Sequence, residues 1–346
     1  MNDTVRIVRD ASLASRNTFK VPAGAPWLVE LDDSAALPAV LQRPELRDGV
    51  ALVLGGGSNL LFAGDAPGAV LALTGQRTAL VGDHDGIVIV RADAGVEWHG
   101  FVLLTLAQGL SGLENLSLIP GTVGAAPIQN IGAYGVEVCD LIHAVEAYEP
   151  ATGTLHRLDR EACAFEYRDS LFKHAPERFI VTAVEYALSR APALTLEYAG
   201  LRDQLRAMGI TAPTPVQVSD AVIAIRRRKL PDPTVLGNAG SFFKNPIVAA
   251  AQADALQAMH PALPVFRGNE DARRKLSAAW LIDACGWKGH RDGDAGVSAS
   301  HALVLVNHGH ATGQQLLDLA RRVADSVQAR FGVALEPEPR LIGATW

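Results

Sequence analysis

Gly55-Gly56-Gly57-Ser58-Asn59-Leu60-Leu61 follows the apolar run Val50-Ala51-Leu52-Val53-Leu54, and this junction decides how the chain is read. The apolar run has the length and composition of a buried strand. Three successive glycines let the backbone fold tightly and bring its N–H groups close to an anionic ligand. Ser58 and Asn59 add short hydrogen-bonding side chains at the same spot. The set suits a pyrophosphate. A dinucleotide-binding βαβ unit would need glycine where Leu60 stands, and a helix directly after the loop. Here Gly64-Asp65-Ala66-Pro67-Gly68 breaks any helix. The loop therefore points to nucleotide phosphates held by another architecture.

Outward from this junction, short apolar runs alternate with Gly, Pro and Asp clusters. Val70–Thr74, Gly86–Ala92, Leu141–Tyr148 and Phe179–Leu188 read as strands. Helices are fewer: Ser34–Gln42, and Glu97–Gln108 ended by Gly109. Many strands with few helices between them predict an α+β protein rather than a doubly wound sheet. The second half differs. Thr214-Pro215-Val216-Gln217 combines an N-cap, Pro at the first helical position and a capping-box Gln. Val218, Ala221, Val222 and Ile225 mark one face of that helix, and Pro231 ends the segment. Thr312 and Gln315 open a long helix with the buried stripe Leu316, Leu319, Ala320, Val323, Val327 and Phe331. Leu303–Val306 before it reads as a core strand. A boundary is expected near 190–230, with the last dozen residues returning to the first half.

The 346 residues suffice for two or three domains with proper cores. A formal net charge of −6 argues against a general nucleic-acid binder, and 49% hydrophobic residues are ordinary for a globular chain. No segment has the length and apolarity of a bilayer span, and the first residues carry no apolar signal region. Cys139, Cys163 and Cys285 lie far apart without a paired motif, which argues against structural disulfides and a cysteine-rich metal site. The expectation is a cytoplasmic protein without a membrane or nucleic-acid partner.

A second glycine-rich stretch, Leu118-Ile119-Pro120-Gly121-Thr122-Val123-Gly124-Ala125-Ala126-Pro127-Ile128-Gln129-Asn130-Ile131-Gly132-Ala133-Tyr134-Gly135, carries almost no side-chain bulk. Alone it could be a close-packing turn. Beside the first loop it suggests a long dinucleotide lying against thin backbone surfaces. Ser241 and Lys244 in Asn238-Ala239-Gly240-Ser241-Phe242-Phe243-Lys244-Asn245-Pro246 form a Ser-x-x-Lys pair, but Ser170-x-x-Lys173 does so equally. The alternative is a strand with Phe242 in the core. Glu166-Tyr167-Arg168-Asp169-Ser170-Leu171-Phe172-Lys173 reads as a charged surface turn on its own. Arg226-Arg227-Arg228-Lys229 suits a helix C-terminus. Leu335-Glu336-Pro337-Glu338-Pro339-Arg340-Leu341-Ile342-Gly343 reads as a solvated tail by default. His308 and His310 have neither carboxylate nor third histidine beside them, so no metal is expected.

Taken in order, GGGSNLL, IPGTVGAAPIQNIGAYG, YRDSLFK, NAGSFFKNP and LEPEPR followed by IG resemble the UDP-N-acetylenolpyruvoylglucosamine reductases, over nearly the whole chain from Asn17-Thr18-Phe19 to Gly343. The PIQNIGAYG form and the segment around Tyr198 are similar to the longer of the two types. The resemblance implies an FAD-binding fold of the vanillyl-alcohol-oxidase kind (PCMH type) over residues 19–190, in two lobes split near 70. It implies an α/β substrate-binding domain over 215–335, and a C-terminal segment, 336–346, returning to the active site. FAD is then held by Gly55, Gly56, Gly57, Ser58, Asn59, Leu60, Pro120, Gly121, Thr122, Gly124, Ala125, Asn130 and Gly132.

The reaction so implied is reduction of UDP-N-acetylglucosamine enolpyruvate by NADPH through FAD, in ping-pong order. Hydride reaches the terminal vinyl carbon, and charge spreads from the adjacent carbon into the carboxylate. That charge needs donors aimed at the carboxylate and an acid for the carbon. By the resemblance Ser241 is the proton donor, and Arg168 with Glu338 holds the carboxylate. Tyr134, Tyr198, Lys229 and Asn245 contact the substrate. Pro339 stands where the family more often has a β-branched residue, and Ser298-Ala299-Ser300-His301 departs from the family pattern and receives no role. The implied partner is this small molecule alone, with the chain a monomer. Two alternatives differ from this in what they require of the sequence. A flavin-tethering oxidase would place His or Cys in the loops 55–61 or 118–135, which hold neither. A silent nucleotide-sugar- or flavin-binding regulator would not need Arg168, Ser241 and Glu338 together.

Overall fold

The computed structural model describes residues 5–198, 200–268 and 270–346. Two units emerge from the pattern of contacts. The first comprises residues 1–11, 25–57 and 66–228, and the second residues 12–24, 58–65 and 229–346. The chain thus passes between units inside the opening motif, after Gly57, and again before Lys229.

In the first unit, Val50–Val53 and Gly24–Leu31 flank Ala69–Leu73 in parallel, in a four-stranded sheet completed by Val5–Ser12. Val29, Leu31, Leu71, Leu37 and Val40 bury its core. A five-stranded antiparallel sheet follows in the spatial order Thr154–Asp159, Ile142–Glu149, Ile180–Ser189, Ile87–Asp93 and Thr78–His84. Its apolar face, with Val88, Val90, Val145, Val184 and Tyr186, packs on Trp98 and Phe101. The helix Trp98–Ala107 is capped by Glu97, whose carboxylate accepts from His99 and Gly100 N–H. The expected helix over Ser34–Gln42 is instead a 3₁₀ turn, Ser34–Ala36, running into a single α-turn, Leu37–Val40. Pro38 sits at the second position of that turn, where its missing N–H costs nothing, and the segment is too short to propagate.

The helix Pro215–Lys229 opens on the expected capping box, with Thr214 N–H donating to Gln217 Oε1 and Gln217 N–H to Thr214 Oγ1. Through Arg228 it groups with the first unit, whereas the sequence-based boundary of 215–335 placed it with the substrate-binding segment. Its apolar stripe, Val218, Ala221, Val222 and Ile225, buries against Leu201 and Leu205, which also belong to the first unit.

The second unit holds small antiparallel sheets, Ile247–Ala249 with Val265–Arg267 and Arg273–Leu276, and Arg291–Asp292 with Ala295–Val297 and Leu305–Asn307. The strand expected at 303–306 begins two residues later, because Ala302 and Leu303 form the turn that leads into it. Thr312 and Gln315 make a complete capping box for the helix Gly313–Phe331, and Gly332, left-handed at φ 66°, ends it. Gly313 is obligatory. A Cβ there would lie 1.7 Å from Phe62 O, so the helix start rests directly on the strand Leu60–Phe62. That strand pairs in parallel with Arg340–Ile342, so the chain's end is stitched to the residues that follow the triple glycine. No helix among the described residues is long and apolar enough to cross a membrane.

Candidate functional site

In the first unit the two glycine-rich loops touch. A Cβ on Gly55 would lie 2.7 Å from Thr122 Oγ1, and one on Gly56 would lie 3.0 Å from Gly121 Cα. Gly57 is left-handed at φ 60°, which glycine adopts without cost. The result is two bare backbone strips laid against each other, a surface that admits a flat, phosphate-bearing group and leaves no room for side chains. Behind them, Val123 N–H donates to Val96 O and Gly124 N–H to Ala94 O. Gly124 is itself packed so closely that a Cβ would meet Ala94 Cβ at 2.5 Å.

The same loop continues into a clamp around Arg168. Asn130 is fully buried and left-handed (φ 44°), a conformation asparagine tolerates better than most residues. Its Nδ2 donates to Glu166 O and to Glu137 Oε2, and its Oδ1 accepts from Cys139 N–H. Arg168, also left-handed at φ 56°, donates from Nη2 to Gly132 O at 2.6 Å and from Nη1 to Asn130 O. Ser170 donates to Ile128 O at 2.6 Å and caps the short helix Leu171–His174. Lys173 Nζ holds Arg168 O at 2.7 Å. The turn read as a charged surface feature is thus bound backbone-to-side-chain to the loop 128–132. Expected cofactor contacts Asn130 and Gly132 lie in this clamp, where they position Arg168.

Tyr134 (φ 51°) and Tyr198 meet edge to face with ring centroids 5.1 Å apart. Asn115, buried, ties the two segments by donating to both Tyr134 O and Thr195 O. Nothing in the sequence flagged Asn115, since a buried asparagine reveals its partners only in three dimensions. Burial pushes the Tyr134 phenol above its usual range, with Arg226 of the helix Pro215–Lys229 opposing that shift.

The second unit joins Ser241, Glu338 and Asn59. Asn238 shapes the approach: its Nδ2 donates to Pro231 O and Leu236 O, and its Oδ1 accepts from Gly240 N–H, with Gly240 left-handed at φ 70°. Ser241 then bridges Val304, and Phe242 N–H donates to Leu303 O at 2.7 Å. Phe242 is buried edge-on against Phe19 and Phe243, which anchors the half-buried Ser241 beside it. On the other side Glu338 N–H donates to Phe242 O and Lys244 N–H to Glu336 O, so 241–244 and 336–338 run as an antiparallel pair. Asn59 locks the far edge of that pair. Its Nδ2 donates to Glu338 O, and its own carbonyl accepts from Arg340 N–H. Pro337 and Pro339 alternate with these donors, so neither missing N–H falls where a bond is made. The tail read as solvated is therefore bound, through the bridge of Pro337 to Phe243 and the strand Arg340–Ile342. Asn59 and Leu60, expected at the cofactor, lie on this strand pairing, and Gly55 to Gly57 and 120–125 carry the bare backbone.

Of the remaining expected contacts, Asn245 Oδ1 accepts from Ala278 N–H at the start of the helix Ala278–Ala284. Exposed Lys229 ends its helix. His301 lines a small cavity with Trp280, Asp283, Lys288 and Ser300, and burial, then Lys229 and Lys288, hold its imidazole below the usual range.

A family model described as the C-terminal domain of UDP-N-acetylenolpyruvoylglucosamine reductase matches residues 232–342, and an FAD-binding-domain model matches 25–159. A UDP-N-acetylenolpyruvoylglucosamine reductase of Xanthomonas oryzae pv. oryzae (strain PXO99A) is 56% identical over 350 residues, covering 100% of both chains. One from strain KACC10331 / KXO85 is 57% identical over 97% of this chain and 99% of its own. The crystal structure of UDP-N-acetylenolpyruvylglucosamine reductase from Thermus caldophilus superposes with a TM-score of 0.68 at 27% identity, covering 98% of each chain.

Proposed function

The chain belongs to the UDP-N-acetylenolpyruvoylglucosamine reductases, and we propose that Ser241, Arg168 and Glu338 carry its chemistry. The reaction is reduction of the enolpyruvyl sugar nucleotide in peptidoglycan precursor synthesis, with FAD and NADPH. When bound between the two glycine-rich loops, FAD would supply the hydride transfer that couples one NADPH to reduction of the substrate's vinyl carbon. The chain's own residues do the rest. Gly55, Gly56, Gly57, Gly121, Thr122, Gly124 and Ala125 supply the backbone cradle, with Pro120 at its rim and Ser58 following it. Arg168, oriented by the carbonyls of Asn130 and Gly132, presents a cation to the substrate carboxylate. Ser241 gives its hydroxyl proton to the carbon next to the carboxylate, a strong base as charge develops there. Glu338 shares the carboxylate end. Tyr134, Tyr198, Lys229 and Asn245 contact the sugar nucleotide, and the enzyme works as a cytoplasmic monomer.

One observation carries this reading: Ser241 and Glu338 stand on adjacent paired segments, with Asn59 fixing the second. The test is direct. The purified protein should be yellow with a flavin spectrum and should consume NADPH when given the enolpyruvyl sugar nucleotide. Ser241→Ala should still accept electrons from NADPH and fail at reoxidation by substrate. Wild-type turnover in Ser241→Ala would overturn the assignment.

A further inference from the structure

The loop that carries Pro120, Gly121, Thr122 and Gly124 is fastened to one short stretch of chain, 94–99. Gly124 N–H donates to Ala94 O, Val123 N–H to Val96 O, and Trp98 N–H to Gly121 O. Glu97 and Thr122 form a β-bridge, and the Trp98 indole donates to Leu116 O. One bond in the series is of another kind: Leu118 N–H donates to Nδ1 of His99 at 3.0 Å. Every other acceptor is a backbone carbonyl, which does not change with pH. The imidazole does.

Leu118 is also the residue at which this bond matters most. It is left-handed at φ 59°, a conformation that a leucine side chain disfavours and that the surroundings must impose. It is the entry to Ile119-Pro120-Gly121, so its backbone angle sets where the bare strip begins. An imidazole accepting at Nδ1 is neutral, with its proton on Nε2. Once protonated, the ring has a donor at each nitrogen, and two N–H groups face each other where the bond stood.

We propose that His99 is a positioning residue for the cofactor loop: it pins Leu118 while neutral and releases it when protonated, so that acid weakens FAD binding through this one contact. The inference rests on the reading that 120–125 hold the cofactor. The charged groups that bear on His99 are Glu97 on its own helix and Arg226 and Arg227 on the helix Pro215–Lys229. Burial lowers the imidazole, and of these charges only Glu97 opposes that, so the neutral form holds at pH 7. The sign follows: the pin is intact above the ordinary histidine range and is lost as pH falls below it.

The experiment measures FAD dissociation from the holoenzyme by the rise in free-flavin fluorescence, at about pH 7.5 and about pH 5. Wild type should lose roughly fivefold in affinity on acidification, the size of one lost hydrogen bond. His99→Asn keeps an acceptor at the Nδ1 position and cannot titrate. It should bind FAD like wild type at the higher pH and be less acid-sensitive by that fivefold. His99→Ala should bind FAD about fivefold more weakly than wild type at the higher pH and match acidified wild type at the lower. The inference is overturned if His99→Asn retains the full acid sensitivity, or if His99→Ala binds FAD as tightly as wild type at neutral pH. Gly56→Val, which forces a side chain into Gly121, tests the underlying reading separately. Unchanged FAD affinity there would refute the cradle itself, whatever the histidine variants do.

Discussion

The two places where chemistry is concentrated are built in opposite ways. In the first unit, loop 118–135 and turn 166–170 are held by side chains reaching to backbone: Asn130 to Glu166 O, Arg168 to Gly132 O, Ser170 to Ile128 O, Asn115 to Tyr134 O. Leu118, Asn130, Tyr134 and Arg168 all sit at positive φ. In the second unit, 241–244 and 336–340 are held chiefly by backbone-to-backbone bonds, to which Asn59 and the Lys244–Glu336 ion pair add side chains. The difference teaches which residues have two jobs. Where backbone does the holding, the Ser241 side chain is left out of the scaffold and available for the proposed chemistry. Where side chains do the holding, Arg168 builds the loop and, in the proposed mechanism, also acts on substrate.

Substitutions can break that contrast. The largest effect expected is Ser241→Ala: about a thousandfold lower turnover, the middle of the range for loss of a positioned proton donor, with an unchanged melting temperature. Stopped-flow absorbance should show normal flavin reduction and slow reoxidation; a destabilised protein instead would mean that Ser241 is structural. Asn130→Ala should do the reverse in kind. It leaves the Cys139 N–H buried without its partner, takes one of two donors from Glu166 O and puts alanine at φ 44°, costing about 3 kcal/mol in denaturant unfolding. A cost under ~1 kcal/mol would show that the clamp is not what orders this loop.

A smaller, purely local loss serves as the control. Thr312→Ala removes one side of the capping box on the helix Gly313–Phe331 and should cost about 1 kcal/mol without altering turnover per folded molecule. The smallest effect concerns charge. Arg178, then Thr152 and His156, hold the Glu149 carboxyl down to about 2 in the folded chain. A lowered folded value contributes stability above the ordinary carboxylate range, about 4.3, that is lost as pH falls toward 2. Glu149→Gln should therefore shift the acid-unfolding midpoint, followed by circular dichroism, upward by a few tenths of a pH unit. No shift would mean that the salt bridge is screened.

Much of this was legible in one dimension, and the reason is physical in each case. Capping boxes at Thr214 and Thr312 are short-range chemistry, so their helices begin where the residues say. Apolar runs such as Val50–Val53 and Ile180–Ser189 form strands because of their length and composition, but only the second is buried throughout most of its length; in the first Leu52 alone is buried and Val53 is exposed. Ser34–Gln42 is helical only over 34–40, as a 3₁₀ turn and a single α-turn, because so short a segment cannot propagate. The bland readings of 166–173 and 335–343 failed for a common cause: charged or proline-rich stretches look solvated until their distant partners are known.

By itself the sequence determined the α+β class, the two glycine-rich loops, the order of five motifs and, through them, the family. Those are properties of local spacing and residue type. Only the tertiary structure decided that Gly55 and Gly56 lie on Gly121 and Thr122, and that the triple-glycine motif ends one unit and begins the other. It alone bonded Asn59 to the carbonyl of Glu338, and joined an unremarked histidine to the amide of Leu118. These are contacts between residues from 19 to 279 positions apart, and no spacing rule reaches across a chain that must first fold to bring them together.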